Sequence, residues 1–222
     1  MLLEKERRLV AEYGRRMAAD GLAPGTSGNI SVLNRANGLF AIKPSGMEYG
    51  EIRPEDVVVM DLSGHVVDGT RKPSSEWALH TVFYQTRPEA GAVVHSHALY
   101  CTTFAVLRRP IHAVHIIFAE AGAREIPVAP YRTFGTTELA EAAAEACGDS
   151  RAVLLANHGI VCWGKDIKEA YDLQCNLEYA AHLEWNALAA GTPHFLTPEE
   201  LDGTQTRFET YGQGEGAEGG AR

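Results

Sequence analysis

Leu9, Tyr13 and Met17 recur every fourth position in residues 2–20, with Leu2 and Val10 beside them and charges between. That spacing predicts an amphipathic helix with one buried stripe, ended by Gly21 and Pro24. The pattern then changes. Residues 30–33 begin an apolar strand behind the small polar run GTSGNISV (25–32), and Asn37-Gly38 is a hairpin signal that returns the chain through 39–42. Residues 56–62 (DVVVMDL) read as a buried strand, which Ser63-Gly64 turns into a partner near 65–67. Residues 71–88 read as a loop feeding a helix, with Ser74 or Ser75 as its cap, Trp77, Val82 and Phe83 as apolar contacts and Pro88 as its stop.

The second half alternates in the same way. An apolar strand, 91–96, leads into a short helix over 98–107. Residues 111–118 (IHAVHIIF) are strand-like, and 125–135 form an extended run with two prolines. A helix over 136–147 closes on Gly148. Residues 151–156 are a buried strand, Asn157-His158-Gly159 a turn, and 160–163 its partner. The longest helix starts at Asp166, where Asp166 and Glu169 fit a capping-box-like start. Ala170, Leu173, Leu177, Ala180 and Leu188 form its buried side, and Gly191-Thr192-Pro193 ends it. Strands joined by short turns and mixed with helices predict one α/β domain over 1–211 with a largely antiparallel sheet. Residues 212–222 are too glycine-rich to pack a core and are expected to be disordered.

Length and charge narrow the function. A chain of 222 residues suits a single domain with a full core. A formal charge of -9 argues against nucleic acid as a partner, yet leaves an anionic small ligand open, because backbone amides and hydroxyls can hold phosphate. The start MLLEKERRLV carries charges where a signal peptide needs apolar residues, and no run approaches a membrane span. Cys101, Cys147, Cys162 and Cys175 lie far apart. The expectation is a cytoplasmic protein with reduced thiols and no membrane partner.

The candidate chemistry gathers on histidines. In a strand, side chains two apart share a face, so His95 and His97 stand side by side if the strand reaches Ser96. Such a pair can hold a metal, or it can be two hydrogen-bonded imidazoles at a strand end. His158, in a turn just beyond an apolar strand, is the candidate third ligand, since three protein ligands and an open position are the usual catalytic zinc arrangement. Glu76, at a helix start, is either a helix-dipole partner or a carboxylate beside the metal able to act as acid or base on carbon. The loops GTSGN (25–29) and PSG (44–46), with Ser74-Ser75, are rich in donors that could cradle an anion. None of them matches a P-loop or dinucleotide pattern.

Taken in order, GTSGNISV, KPSGM, KPSSEWALH, AVVHSHALYCTTFAV, IPVAPYRTFGTTEL and LLANHGIVCWG resemble the class II aldolase/adducin family, most closely the branch that cleaves L-fuculose 1-phosphate. The resemblance implies a three-layer α/β/α domain with a central, largely antiparallel sheet. It also implies one Zn2+ per subunit on His95, His97 and His158, with Glu76 as the catalytic carboxylate. Phosphate would be bound by Gly28, Asn29, Ser45, Gly46, Ser74 and Ser75, in a cyclic homotetramer with sites between neighbouring subunits. The implied reaction is reversible cleavage of a ketose 1-phosphate, fuculose 1-phosphate-like or 5-deoxyribulose 1-phosphate-like, to dihydroxyacetone phosphate and an aldehyde through a zinc-stabilised enediolate. One position departs. Where the family uses a neighbouring subunit's tyrosine to pass a proton to the aldehyde oxygen, this chain has Ile116. Phe134 keeps the family's aromatic, Tyr211 its tail tyrosine, and His112, His115, Tyr211 or a water are the substitutes for the lost hydroxyl. A sugar-phosphate epimerase, a methylthioribulose 1-phosphate dehydratase and a non-catalytic adducin-like module share the scaffold and are the alternatives.

Overall fold

The structure of the chain, a computed structural model, describes residues 1–208; Tyr211 and the glycine-rich tail lie outside the described residues. The N-terminal helix α1 (Glu4–Ala19) buries Val10, Tyr13 and Met17 as its periodicity requires. It is followed by β1 (Asn29–Asn34), β2 (Leu39–Ile42), β3 (Val58–Asp61) and β4 (Val66–Asp68), a meander of antiparallel neighbours. Next come α2 (Trp77–Thr86), β5 (Ala92–Ser96) and α3 (Leu99–Leu107). A small pair, β6 (Ile111–His112) and β7 (Glu125–Ile126), precedes β8 (Val128–Ala129) and α4 (Thr137–Cys147). Finally β9 (Ala152–Leu155) and β10 (Gly159–Gly164) lead to α5 (Ile167–Ala190) and α6 (Pro198–Phe208).

Eight strands form one sheet in the order β4-β3-β2-β1-β5-β10-β9-β8, antiparallel throughout except for the β8–β9 edge. Both faces are covered, and side-chain alternation divides the core in two. Ala92, Val94, Ile160 and Cys162 face α1, α3 and α5, whereas Val93, Val161, Val153 and Leu155 face α2 and α4. These side chains are almost wholly buried, and each valine, isoleucine and leucine among them contributes roughly 1.5–3 kcal/mol. This is the expected three-layer arrangement, and β5 and β10 lie side by side in the interior of the sheet. Among the described residues, all four cysteines are free thiols and no helix is long and apolar enough to cross a membrane.

Three local expectations change. The strand-like run 111–118 pairs only at β6; from Ile116 to Ala121 the chain coils into a 3-10 turn. That turn puts Phe118 and Ala121, three apart, on one buried face, an outcome alternation cannot anticipate. Neither Ser74 nor Ser75 caps α2. Glu76 holds the N-cap position and its side chain accepts no bond from the helix, while Ser74 Oγ accepts the Glu76 N–H at 3.3 Å. The helix α6 was not among the predicted elements, although Thr197 and Glu200 form a reciprocal cap. Glu200 Oε2 accepts from Thr197 N at 2.7 Å, and Thr197 Oγ1 accepts from Glu200 N at 3.3 Å.

Candidate active site

The period of two along β5 places His95 on the same face as Val93, toward α2, and His97 follows one residue past the strand end. His158 enters from the neighbouring strand, in a turn where Asn157 adopts φ 57° just before β10. Two glycines permit the approach. A Cβ on Gly159 would lie 2.3 Å from Ser96 O and 3.1 Å from the His97 ring. Gly28 has φ +69°, and a Cβ there would lie 2.7 Å from His95 O, so the small-residue loop can rest on the end of β5.

The three rings stand edge to face around one point, with centroids 4.8–5.1 Å apart. A coordinating nitrogen from each lies within 4.8 Å of the others, and the Nε2 atoms of His95 and His97 are 3.2 Å apart. His95 donates its Nδ1–H to Ile160 O at 2.9 Å. That bond fixes the tautomer and turns the Nε2 lone pair inward, the arrangement a metal-binding histidine requires. Glu76 completes the group. Its Oε2 lies 3.3 Å from His95 Nε2, and its Oε1 lies 3.5 Å from His158 Nε2. Oε1 is buried and accepts no hydrogen bond. A buried carboxylate oxygen lacking a donor beside three converging imidazole nitrogens fits a divalent cation.

Burial pushes the pKa of His95, His97 and His158 down, assisted at His95 and His97 by the neighbouring imidazoles. Neutral rings are the metal-binding form, so little proton competition remains at neutral pH. Beneath Glu76, the fully buried His80 is pushed down to about 3, chiefly by burial. An unfolded histidine titrates near ~6.5, so between these values the unfolded chain binds more protons than the folded one. Stability is therefore intact above pH ~6.5 and is lost as pH falls toward the folded value, by up to about 1.4 kcal/mol per pH unit for His80. Thermal unfolding of the metal-free protein should show a Tm that changes little between neutrality and about pH 8, where Lys43 begins to titrate, and that falls steeply on acidification. His80→Gln should flatten that slope.

A cavity of about 480 Å3 opens in front of the cluster. Gly28, Asn29, Ser45, Gly46, Ser74 and Ser75 line it together with Glu76, His97, His158 and Phe134. All the loops expected to hold phosphate thus face the same space as the imidazoles. Asn29 does more than line it, since its amide bonds both Glu76 and His80. Lys43, absent from the expected set, also lines the cavity. Its Nζ donates to Thr26 O at 3.0 Å, sits 4.6 Å over the Tyr49 ring, and burial lowers its pKa to about 8. The lysine in KPSG was the available signal, overshadowed by the serine and glycine beside it.

His115 and Ile116 lie elsewhere in the chain. They border a second cavity with Asn176 and Thr204, and the His115 ring packs edge-on against Tyr179 at 5.7 Å. His112 is engaged by Glu184, with Nδ1 2.8 Å from its Oε1.

A family model described as the class II aldolase and adducin N-terminal domain matches residues 8–185. The chain is 45% identical over 213 residues to a 5-deoxy-D-ribulose 1-phosphate aldolase of Bacillus thuringiensis serovar kurstaki, covering 96% of this chain and 100% of that one. It is 40% identical over 201 residues to a 5-methylthioribulose-1-phosphate/5-deoxyribulose-1-phosphate aldolase of Rhodospirillum rubrum, covering 90% of each. Among solved structures, an L-fuculose 1-phosphate aldolase superposes with a TM-score of 0.89 at 41% identity, covering 92% of this chain and 96% of that one.

Proposed function

The chain belongs to the class II aldolase and adducin family, and from that premise we propose that it is a zinc-dependent aldolase that splits a ketose 1-phosphate into dihydroxyacetone phosphate and an aldehyde. The observation that carries this reading is the meeting of His95, His97, His158 and Glu76 at one wall of a cavity whose other walls are donor-rich loops. The three imidazoles would hold the cation, which supplies Lewis-acid stabilisation for the negative charge that cleavage develops on the ketone half.

The chain's own groups do the rest. Ser45, Gly46, Ser74 and Ser75, with Gly28, Asn29 and the Lys43 ammonium nearby, bind the phosphate and so fix the reacting carbon against Glu76. During cleavage Glu76 delivers a proton to the carbon that loses its partner; in condensation it removes the same proton. Burial of the carboxylate keeps bulk water from competing for that transfer.

The 5-deoxypentulose 1-phosphates are the favoured substrates. Support comes from the 45% identity along the whole Bacillus relative and from Ile116, which is half-exposed at the position where the family's aldehyde-side tyrosine stands. If subunits assemble as a homotetramer with sites between neighbours, Ile116 would present an apolar surface to the aldehyde, suited to a methyl terminus. Exposed Leu99, Val106 and Leu107 on α3 favour such assembly. The free thiols accord with a cytoplasmic setting.

The test is a panel of ketose 1-phosphates incubated with zinc-loaded protein, with products identified by mass spectrometry. Dihydroxyacetone phosphate should appear, fastest from 5-deoxyribulose or methylthioribulose 1-phosphate, and a chelator should stop it. Loss of water or inversion of a carbon without cleavage would replace the aldolase reading with a dehydratase or an epimerase.

A further inference from the structure

A line of five buried polar side chains, ending on Glu76, runs from the interior of α2 to the cavity. Asn29 Nδ2 donates to Glu76 Oε2 at 2.9 Å. Asn29 Oδ1 bonds His80 Nε2, His80 Nδ1 bonds Ser31 Oγ at 2.6 Å, and Ser31 Oγ bonds Tyr84 OH at 2.6 Å. All five residues are less than 9% exposed, and His80 and Ser31 are fully enclosed. No strand-to-helix contact needs so much polar matter; apolar side chains would pack β1 against α2 without the desolvation cost.

The direction of every bond follows from its end. An ionised carboxylate only accepts, so Asn29 must present its NH2 to Glu76 and its oxygen to His80. His80 must then carry its proton on Nε2, and burial keeps the ring neutral, which leaves Nδ1 as an acceptor. Ser31 therefore donates to Nδ1 and accepts from the Tyr84 hydroxyl. The tautomer is the opposite of that at His95, which carries its proton on Nδ1.

We propose that Tyr84, Ser31, His80 and Asn29 form a one-way hydrogen-bond relay that positions Glu76, holding Oε2 as the anchored oxygen and leaving Oε1 as the one that exchanges protons with substrate carbon. Oε1 is the atom without a hydrogen bond. Tyr84, Ser31 and His80 are positioning residues that act through Asn29, which also lines the cavity, and this role rests on the aldolase reading. The step they serve is self-contained. Glu76 takes a proton from the hydroxymethyl carbon of dihydroxyacetone phosphate, and the electron pair delocalises into the adjacent carbonyl. A solvent deuteron, exchanged onto the carboxyl group, then returns to the carbon.

Two measurements test the relay. In metal-free protein labelled with 15N-histidine, NMR should find His80 protonated on Nε2 and bare on Nδ1; the reverse tautomer would overturn the proposed direction. In zinc-loaded protein, deuterium exchange into dihydroxyacetone phosphate reads the proton transfer without any aldehyde. His80→Leu should slow exchange about 10- to 100-fold, the range for losing a hydrogen-bond chain to a charged group, with zinc content and KM unchanged. His80→Gln, which keeps an N–H for Asn29 Oδ1, should recover most of the rate. Equal rates in His80→Leu and wild type would overturn the relay, as would a rate loss that His80→Gln fails to restore. Should His80→Leu not fold, Ser31→Ala carries the same test, and unchanged exchange there has the same meaning. Absence of exchange in the zinc-loaded wild type would instead remove the aldolase reading, while the tautomer still decides the relay.

Discussion

Alanine at His97 should leave the protein folded and unable to retain a stoichiometric metal ion. Retro-aldol turnover should fall on the order of a thousandfold. The magnitude follows from Lewis-acid stabilisation worth several kcal/mol, at about 1.4 kcal/mol per tenfold in rate. The fold should survive because the His97 side chain lies past the end of β5 and lines the cavity, and the bond its main-chain N–H donates to Leu22 O at 3.1 Å is one that alanine keeps. Elemental analysis after dialysis, circular dichroism and a coupled assay for dihydroxyacetone phosphate read the three quantities separately. A variant that kept one equivalent of zinc would deny His97 its role as ligand.

Glu76→Gln should separate metal binding from proton transfer. Glutamine preserves the shape and can still accept the Asn29 amide through its oxygen, so zinc content and thermal stability should change little. It cannot take a proton from carbon. Turnover should fall about 10²- to 10⁴-fold, the usual range for a positioned acid–base group, with KM near the wild-type value. Wild-type turnover in this variant would assign the base elsewhere. The position also shows function taking precedence over local stability. Glu76 occupies the N-cap of α2 yet turns its carboxylate away from the helix, forgoing a cap that is typically worth ~1 kcal/mol.

Much of this was legible in the chain. Alternation along 91–96 set His95 and His97 on one face before any contact was known, and Asn157-His158-Gly159 marked a turn beside a buried strand. Asn37-Gly38 fixed the β1–β2 hairpin, and Gly38 has φ +67° there. What periodicity could not supply was register between distant elements. That β10 pairs with β5, aligning Val161 with His95, depends on the whole sheet. His80 illustrates the limit: by spacing it is one more residue of an apolar helix, and its partners appear only when β1 lies across α2. The 3-10 turn at Ile116–Ala121 and the cap at Thr197 show two further losses. In one, strand propensity yielded to packing of Phe118; in the other, the reciprocal Thr197–Glu200 cap starts a helix whose apolar pattern is weak.

The imidazoles of the cluster come from β5, from the residue that follows it and from the turn between β9 and β10. A nascent or partly unravelled copy, in which β10 has not yet zipped onto β5, can offer a cation only two rings. Under the proposed metal reading, ion retention would therefore report completion of the sheet: incomplete copies would release the metal, whereas finished ones would keep it and gain resistance to unfolding by mass action.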